Sequence, residues 1–464
     1  MWLTKMMTGV NNLPLNEKNI NPKPIWPSIR YAWFVVLVLT LANTVSFIDR
    51  QILSLLVEPI REDLKINDTQ ISLLQGFAFV IFYVGMGLPI ARLADSKNRK
   101  YIIIIGVALW SLMTAICGLA KTFMHLFLAR MGVGVGEASL SPSAHSMLSD
   151  YFPPEKLSFP LGVYAAGITS GMGIALVAGA AVIDLINSFG TLNLPFFGLL
   201  KPWQTTFIIV GALGSLVILL MCFVKEPKRI GMLSVSNDND NSRVVPLSQV
   251  LEYFKLNWKS YSTIYLGFTM TAASAYGLAS WTPTFYIRTF GMTASEAGYL
   301  IGTSIVIGGL IGSIFGGWLA DFLARKGVEN SKVKVMWFSS ILLIPPGLIT
   351  PLLPTPTFAA IGLGLSFFAG SMGAGPAASA AQEMTPNQMR AQASAFYLFL
   401  TNLIGLGLGP TVVALFTDYV FSDIYLIRYS LICMVLTFNP LAIILIRTSF
   451  KHYNQTIKRL HTKI

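Results

Sequence analysis

The sequence predicts an all-α integral membrane protein of twelve transmembrane helices in two six-helix halves. Three observations carry that prediction. Of 464 residues, 54% are hydrophobic and only 12% charged, with a mean hydropathy of +0.63, whereas a soluble domain carries about 25% charged residues. The apolar segments are helix-length rather than alternating strands of ~10 residues, which excludes an outer-membrane barrel. The longest polar interruption falls midway and separates six candidate spans from six.

A ~20-residue apolar window places the spans near 31–57, 70–93, 100–120, 124–149, 158–186 and 203–224, then 259–288, 294–320, 333–353, 357–382, 389–417 and 427–447. Residues 1–30 are polar and rich in Asn and Pro, and read as a cytoplasmic tail without a cleavable signal peptide. The first half covers 31–224. A linker follows over 225–258, where Lys225-Glu226-Pro227-Lys228-Arg229 precedes an Asn/Asp/Ser-rich stretch from Ser234 to Ser242. The second half covers 259–447, and residues 448–464 form a basic cytoplasmic tail.

The net charge of +12 does not imply nucleic acid, because the cations cluster in short loops beside apolar spans, where they set topology. With the N-terminus inside, 25 Lys and Arg fall on the cytoplasmic side and six on the other. Both termini are therefore expected in the cytoplasm, with a bacterial inner membrane as the location. Cys117, Cys222 and Cys433 all lie in apolar runs and read as small buried hydrophobes. His125, His145, His452 and His461 lack metal-ligand spacing, and no cofactor is expected. Asn67-Asp68-Thr69 matches a glycosylation acceptor, relevant only in a eukaryotic host. There is no phosphate-cradling loop and no nucleophile triad, so ATP-driven transport and hydrolysis have no motif to rest on.

Span 4 contains Arg130-Met131-Gly132-Val133-Gly134-Val135-Gly136-Glu137, two full charges seven residues apart on one helix face. Ionisable residues inside a bilayer are functional candidates by default, since charge in hydrocarbon costs several kcal/mol. Span 1 carries a second such pair, Asp49-Arg50, 19 and 20 residues beyond Arg30. That is about 28–30 Å from the inner surface at ~1.5 Å per residue. Counting back from Ser149 puts Arg130 at a similar depth, with Glu137 ~10 Å nearer the cytoplasm. Burial in a dry cavity favours a protonated carboxyl and a nearby arginine favours the ionised one, so Asp49 and Glu137 are candidate proton-coupling groups.

The halves repeat each other. Ala91-Arg92-Leu93-Ala94-Asp95-Ser96-Lys97-Asn98-Arg99-Lys100 follows span 2, and Gly317-Trp318-Leu319-Ala320-Asp321-Phe322-Leu323-Ala324-Arg325-Lys326 follows span 8. A duplicated unit of this kind places substrate near mid-membrane between the halves. These loops, with the two six-helix halves, resemble the major facilitator superfamily of secondary transporters. Phe47-Ile48-Asp49-Arg50, Asp95 to Tyr101, Arg130 to Ser139 and Ser149 to Lys156 resemble its spinster branch in particular. That resemblance implies transport of sphingosine-1-phosphate or lysophospholipids. The first loop departs from the superfamily pattern at Ala91 and Ser96, where glycine and a basic residue are usual.

The resemblance also makes spans 1 and 4 neighbours around the cavity. An Asp49–Arg130 pair is then expected, leaving Arg50 and Glu137 to meet substrate or proton. Arg50 and Arg130 are the candidate anion-binding groups. It further implies a cytoplasmic gate of Asp95, Arg99 and Lys100 with Asp321, Arg325 and Lys326, for which Asp150 and Glu383 are candidate acidic partners. In the second half, which has no mid-span charge, Tyr276 and Asn402 are expected to line the cavity, and Trp281 and Tyr286 fit an interfacial aromatic belt as well as a cavity wall. Glycines in spans 5 and 11, including Gly173 and Gly407, suit close helix contact.

The expected activity is alternating-access, proton-coupled transport of an amphiphilic organic anion or lysolipid by a monomer, with substrate, protons and membrane lipids as partners. Carriage of sugar acids or other small organic anions is the alternative. A non-transporting membrane sensor and a lipid scramblase are the readings of another class.

Overall fold

The computed structural model describes residues 26–153, 156–189, 193–194, 198–229, 247–386 and 389–462. Most of the expected N-terminal tail and the middle of the linker lie outside these residues, as do the side chains of Asp95 and His461. The chain is helical, apart from a two-residue antiparallel hairpin of β1 (Asn193–Leu194) and β2 (Gly198–Leu199).

Helices α1 (Ile29–Leu55), α2 (Val57–Leu64), α3 (Asp68–Gln75), α4 (Phe77–Ser96), α5 (Arg99–Cys117), α6 (Phe123–Glu137), α7 (Leu140–Tyr151), α8 (Ser158–Phe189) and α9 (Pro202–Phe223) build the first half. The short α10 (Leu247–Leu256) leads into α11 (Trp258–Phe290), α12 (Ala294–Arg325), α13 (Ser331–Ile349), α14 (Pro356–Met372), α15 (Ala374–Glu383), α16 (Arg390–Leu400), α17 (Gly407–Leu415) and α18 (Ile427–Thr462). A π-helical turn, Thr401–Leu406, joins α16 to α17. Side-chain caps start several of these helices. Asn98 accepts from the Tyr101 amide at 3.2 Å, Thr122 accepts from that of His125 at 3.2 Å, and Thr293 forms a capping box with Glu296. Asn67, in the glycosylation-like triplet, caps α3 through the Gln70 amide at 2.8 Å.

Two long helices are broken by proline at matching places in the halves. Pro142 has no N–H to give the Ala138 carbonyl, so α6 stops and α7 restarts. Pro376 likewise cannot bond to Met372, and α14 gives way to α15.

Among the described residues, ten helical stretches are long and apolar enough to cross a bilayer. The two expected spans that fall short are α6 with α7, which is broken into pieces of 15 and 12 residues, and α11. Helix α11 is 33 residues long, but Ser, Thr and Tyr dilute its apolar character.

The core is divided unevenly between the two ends of the bundle. At the end where α1 finishes, one apolar cluster joins both halves: Ile52, Leu55 and Leu176 pack with Leu278, Trp281 and Ile301. At the other end, where α1 begins and α18 finishes, the buried residues form a separate cluster in each half, with Leu403 and Leu406 of the second half packed against the edge of the first. Val36, Trp110 and Met147 belong to the first, and Tyr265, Met336 and Ala380 to the second. We call these the far end and the terminal end. Trp281 and Tyr286 are fully buried in the shared cluster, so neither serves as an interfacial belt.

Candidate substrate and proton site

Helix α6 reaches α1 because it lies unusually close to α4 and α5. A Cβ on Gly134 would sit 2.3 Å from the Phe79 carbonyl oxygen, and one on Gly136 would sit 2.6 Å from the Trp110 nitrogen. Only glycine allows that approach. The three glycines of the span 4 motif thus serve packing, and bring its two charges to Asp49 and Arg50.

The pairing differs from the expected one. Arg50 meets Glu137, with Nη2 at 2.5 Å and Nε at 2.6 Å from the same oxygen, Oε2. Ser46, one turn earlier on α1, donates to that oxygen at 2.6 Å. Arg130 makes no ion pair with Asp49. It donates to the Asp49 main-chain carbonyl at 3.1 Å and to that of Leu74 at 3.4 Å. Arg130 therefore does lie level with Asp49, but it holds the backbone rather than the carboxylate. Neither Asp49 carboxylate oxygen has a hydrogen-bond partner among the described residues, nor does Oε1 of Glu137.

Exposure separates these four residues. Asp49, Arg130 and Glu137 are each 1% exposed, while the Arg50 side chain is 19% exposed. Its guanidinium lies 5.1 Å from the Phe47 ring centroid, 4.5 Å from that of Phe79 and 4.9 Å from that of Tyr83. Such contacts hold a cation without neutralising it. Arg50 also lines a small cavity of about 30 Å³ with Gln51, Ser54, Gln75, Tyr276 and Ser280. A larger cavity of about 200 Å³ adjoins it, since Phe47, Met172 and Tyr276 line both. Its other walls include Phe268, Ile305 and Phe367 from the second half. The arrangement is a cation beside a mostly apolar chamber.

Of the expected second-half lining, Tyr276 faces both cavities. Asn402 turns its amide back to the Leu398 carbonyl at 3.0 Å, and its neighbour Thr401 lines the larger cavity.

At the terminal end, Arg99 pairs with Asp150 and with Glu226 at 2.7 Å, and donates to the Ser146 carbonyl at 2.9 Å. The Lys100 amide also donates to Glu226, at 2.9 Å, while its ammonium reaches the Cys222 carbonyl at 2.8 Å rather than an acid. In the second half, Asp321, Arg325 and Lys326 are exposed. The cation that meets Glu383 is Lys332, at 2.7 Å, with the Tyr453 hydroxyl on the same oxygen at 2.6 Å. Arg99–Asp150 and Lys332–Glu383 occupy matching positions, each joining a helix start to the end of a broken helix. Both pairs stay within one half.

Cross-half contacts gather at the far end. Arg288 forks onto Asp68 at 2.6 and 2.8 Å and reaches Glu58 at 2.6 Å. Asp418 accepts from the Thr69 amide and hydroxyl, both at 2.6 Å, and Tyr299 donates to Asp184 at 3.1 Å. From the sequence, Arg288 was only one of six cations on the outer side. No motif marks it, because its partners come from helices more than 200 residues away.

A mostly apolar chamber beside a buried charge cluster, between two helical halves that are tied together at the far end, is the architecture of a membrane transporter. The chain belongs to the Major Facilitator Superfamily, whose model matches residues 39–410. It is 30% identical to an MFS-type efflux pump of Mycolicibacterium smegmatis over 399 residues, covering 85% of this chain and 86% of that protein. It is 27% identical over 329 residues to Protein spinster of Drosophila melanogaster, covering 68% of this chain and 51% of that protein, about half its length. A solved structure of a bacterial homolog to the human lysosomal transporter spinster, inward-facing and unoccupied, superimposes with a TM-score of 0.76 at 27% identity. That match covers 93% of this chain and 99% of the other. The chain is a spinster-like, multi-pass integral membrane protein.

Proposed function

We propose that the chain is a twelve-span secondary transporter, with both termini cytoplasmic, that moves an amphiphilic organic anion or lysolipid by alternating access coupled to protons. The observation that carries this reading is Arg50, a partly exposed cation held by Glu137 in a small cavity that adjoins an apolar chamber. An anionic headgroup competes for Arg50 while its tail enters the chamber, where each buried methylene contributes about 0.8 kcal/mol. Glu137, losing its cation in a buried setting, then takes a proton to remove an unpaired charge. Headgroup and proton occupancy therefore rise together, and by linkage lower pH tightens anion binding. Asp49, fully buried and in no ion pair among the described residues, is the second proton site. Arg130 keeps the main chain of α1 and α3 in place around it and does not itself meet substrate. The separate clusters at the terminal end and the sealed far end support an inward-open state. In that reading Arg99–Asp150 and Lys332–Glu383 brace each half, and Asp95, Lys100, Asp321 and Arg325 complete the cytoplasmic gate.

The test is uptake into proteoliposomes with an imposed pH gradient, comparing lysolipids of increasing chain length with a hexuronate. Lysolipid transport should follow the gradient, and affinity should rise about fourfold per added methylene until the chamber is filled. Glu137→Gln should abolish the gradient dependence. Wild-type gradient-driven rates in that variant would refute the coupling, and transport of the hexuronate alone would favour a small-anion carrier.

A further inference from the structure

Away from the central cavity, α12, α13 and α18 enclose a groove of about 460 Å³ beside the turn that joins α12 to α13. Leu319, Leu323, Val335 and Phe338 give it an apolar floor, and Trp337 and Phe450 form its walls. Lys334 and Arg447 sit at its rim. Phe338 is 45% exposed, and Trp318 and Ile314 on the adjoining stretch of α12 are 51% and 72% exposed, so the groove opens on the lipid-facing surface of the bundle. The Asn330 amide, donating to the Phe450 carbonyl at 3.2 Å, ties the turn to α18 across its end.

Charge and hydrogen bonding at the groove are unbalanced. Lys332, two residues from Lys334, has its carboxylate in Glu383. Lys334 and Arg447 have none among the described residues. The Arg447 guanidinium lies 4.9 Å from the Phe450 ring centroid, one turn nearer the terminal end, which carries the charge up toward headgroup level. Lys334 is in the first turn of α13, at the same level. Below them the Trp337 indole N–H is buried and has no partner. Leaving a buried donor unpaired is unfavourable, so a partner for it is expected. Topological anchoring requires cations near helix ends, but requires neither a groove beneath them nor an unpaired donor on a side chain that lines it.

We propose that this groove is a binding site for one anionic phospholipid of the surrounding leaflet. Its phosphate lies between Lys334 and Arg447, the Trp337 ring turns its buried N–H outward to a phosphate or ester oxygen, and one acyl chain runs down the floor along Leu319 and Phe338. Basic pockets between spanning helices are suited to such headgroups, each cation near the surface strengthening the hold on the phosphate. The site is separate from the transport cavity, to which α18 contributes no residue and Trp337 is not exposed.

The experiment places the full chain in phosphatidylcholine nanodiscs doped with phosphatidylglycerol and counts retained lipids by native mass spectrometry. Wild type should keep one phosphatidylglycerol in preference to phosphatidylcholine. The K334Q/R447Q variant should lower that retention at least tenfold, and Trp337→Phe, which keeps the ring and removes the donor, severalfold. A control of equal charge loss outside the groove, K451Q/R459Q, should retain the lipid. Equal retention of the two lipids by wild type, or equal loss in both double variants, overturns the site. Displacement of the lipid by millimolar glycerol 1-phosphate overturns the lipid assignment in favour of a soluble phosphate. If K334Q/R447Q fails to fold, Trp337→Phe decides: unchanged retention there refutes the proposal.

Discussion

At Arg50, the guanidinium is held by a carboxylate on one side and by three aromatic rings around it. Both interactions use the planar fork, which a lysine ammonium lacks. Arg50→Lys keeps the charge yet loses the two-nitrogen contact to Glu137, so transport should fall at least tenfold while the protein remains monodisperse on size exclusion. Wild-type uptake in Arg50→Lys would mean that charge alone matters there. Part of this site was legible in the sequence. Four charges inside two apolar spans are costly enough to stand out, and helix rise alone sets Arg130 level with Asp49. Their partners were not legible, because a one-residue difference between Asp49 and Arg50 turns a side chain by about 100° around the helix. Depth matching cannot resolve that rotation. Phe47, one turn before Arg50, could have been read from spacing, whereas Phe79 and Tyr83 come from another helix.

Among the helices, the break between α6 and α7 has a defined chemical cause, and it sits directly after Glu137. Pro142→Ala restores the missing N–H and removes the ring, so the two pieces can run on as one helix. The prediction is that transport falls severalfold while the thermal melting temperature is unchanged or higher. A melting temperature that drops with no change in uptake would make the break a packing feature only. The matching break at Pro376 follows no charge. The duplicated loops predict a repeated six-helix unit, and the paired breaks agree with that repeat. The sequence pattern of the loops misplaces the second acidic pair, because Lys332 opens α13 while Arg325 and Lys326 close α12. Loop residues similar in order can fall on different sides of a helix boundary.

For the molecule as a whole, the seal at the far end depends on contacts that cross between halves. Arg288 is buried against two carboxylates of the first half, and Asp68 is 0% exposed. Removing one member of a buried pair leaves an uncompensated charge, which costs about 3–5 kcal/mol. Arg288→Gln should therefore shift the population toward a state open at that end. Spin labels at Glu62 and Tyr425, exposed positions on the two halves, should show a longer distance in the variant. An unchanged distance distribution would remove the ion pairs from the gating account. Helix α8 and α12 meet nearby with no side chain between them, since a Cβ on Gly173 would lie 2.5 Å from the Gly302 carbonyl. That contact is small enough to slide, which suits rocking of one half against the other.

The two segments that fall short of the bilayer's requirement, α6 with α7 and α11, are also those that supply Arg130, Glu137 and Tyr276 to the site. A helix carrying centre-placed charge inserts poorly by itself, each Arg or Asp adding about 2.5–3.5 kcal/mol against partitioning. Helices α1 and α6 both carry such charge, and the Arg50–Glu137 pair offsets part of that cost only when the two helices lie side by side.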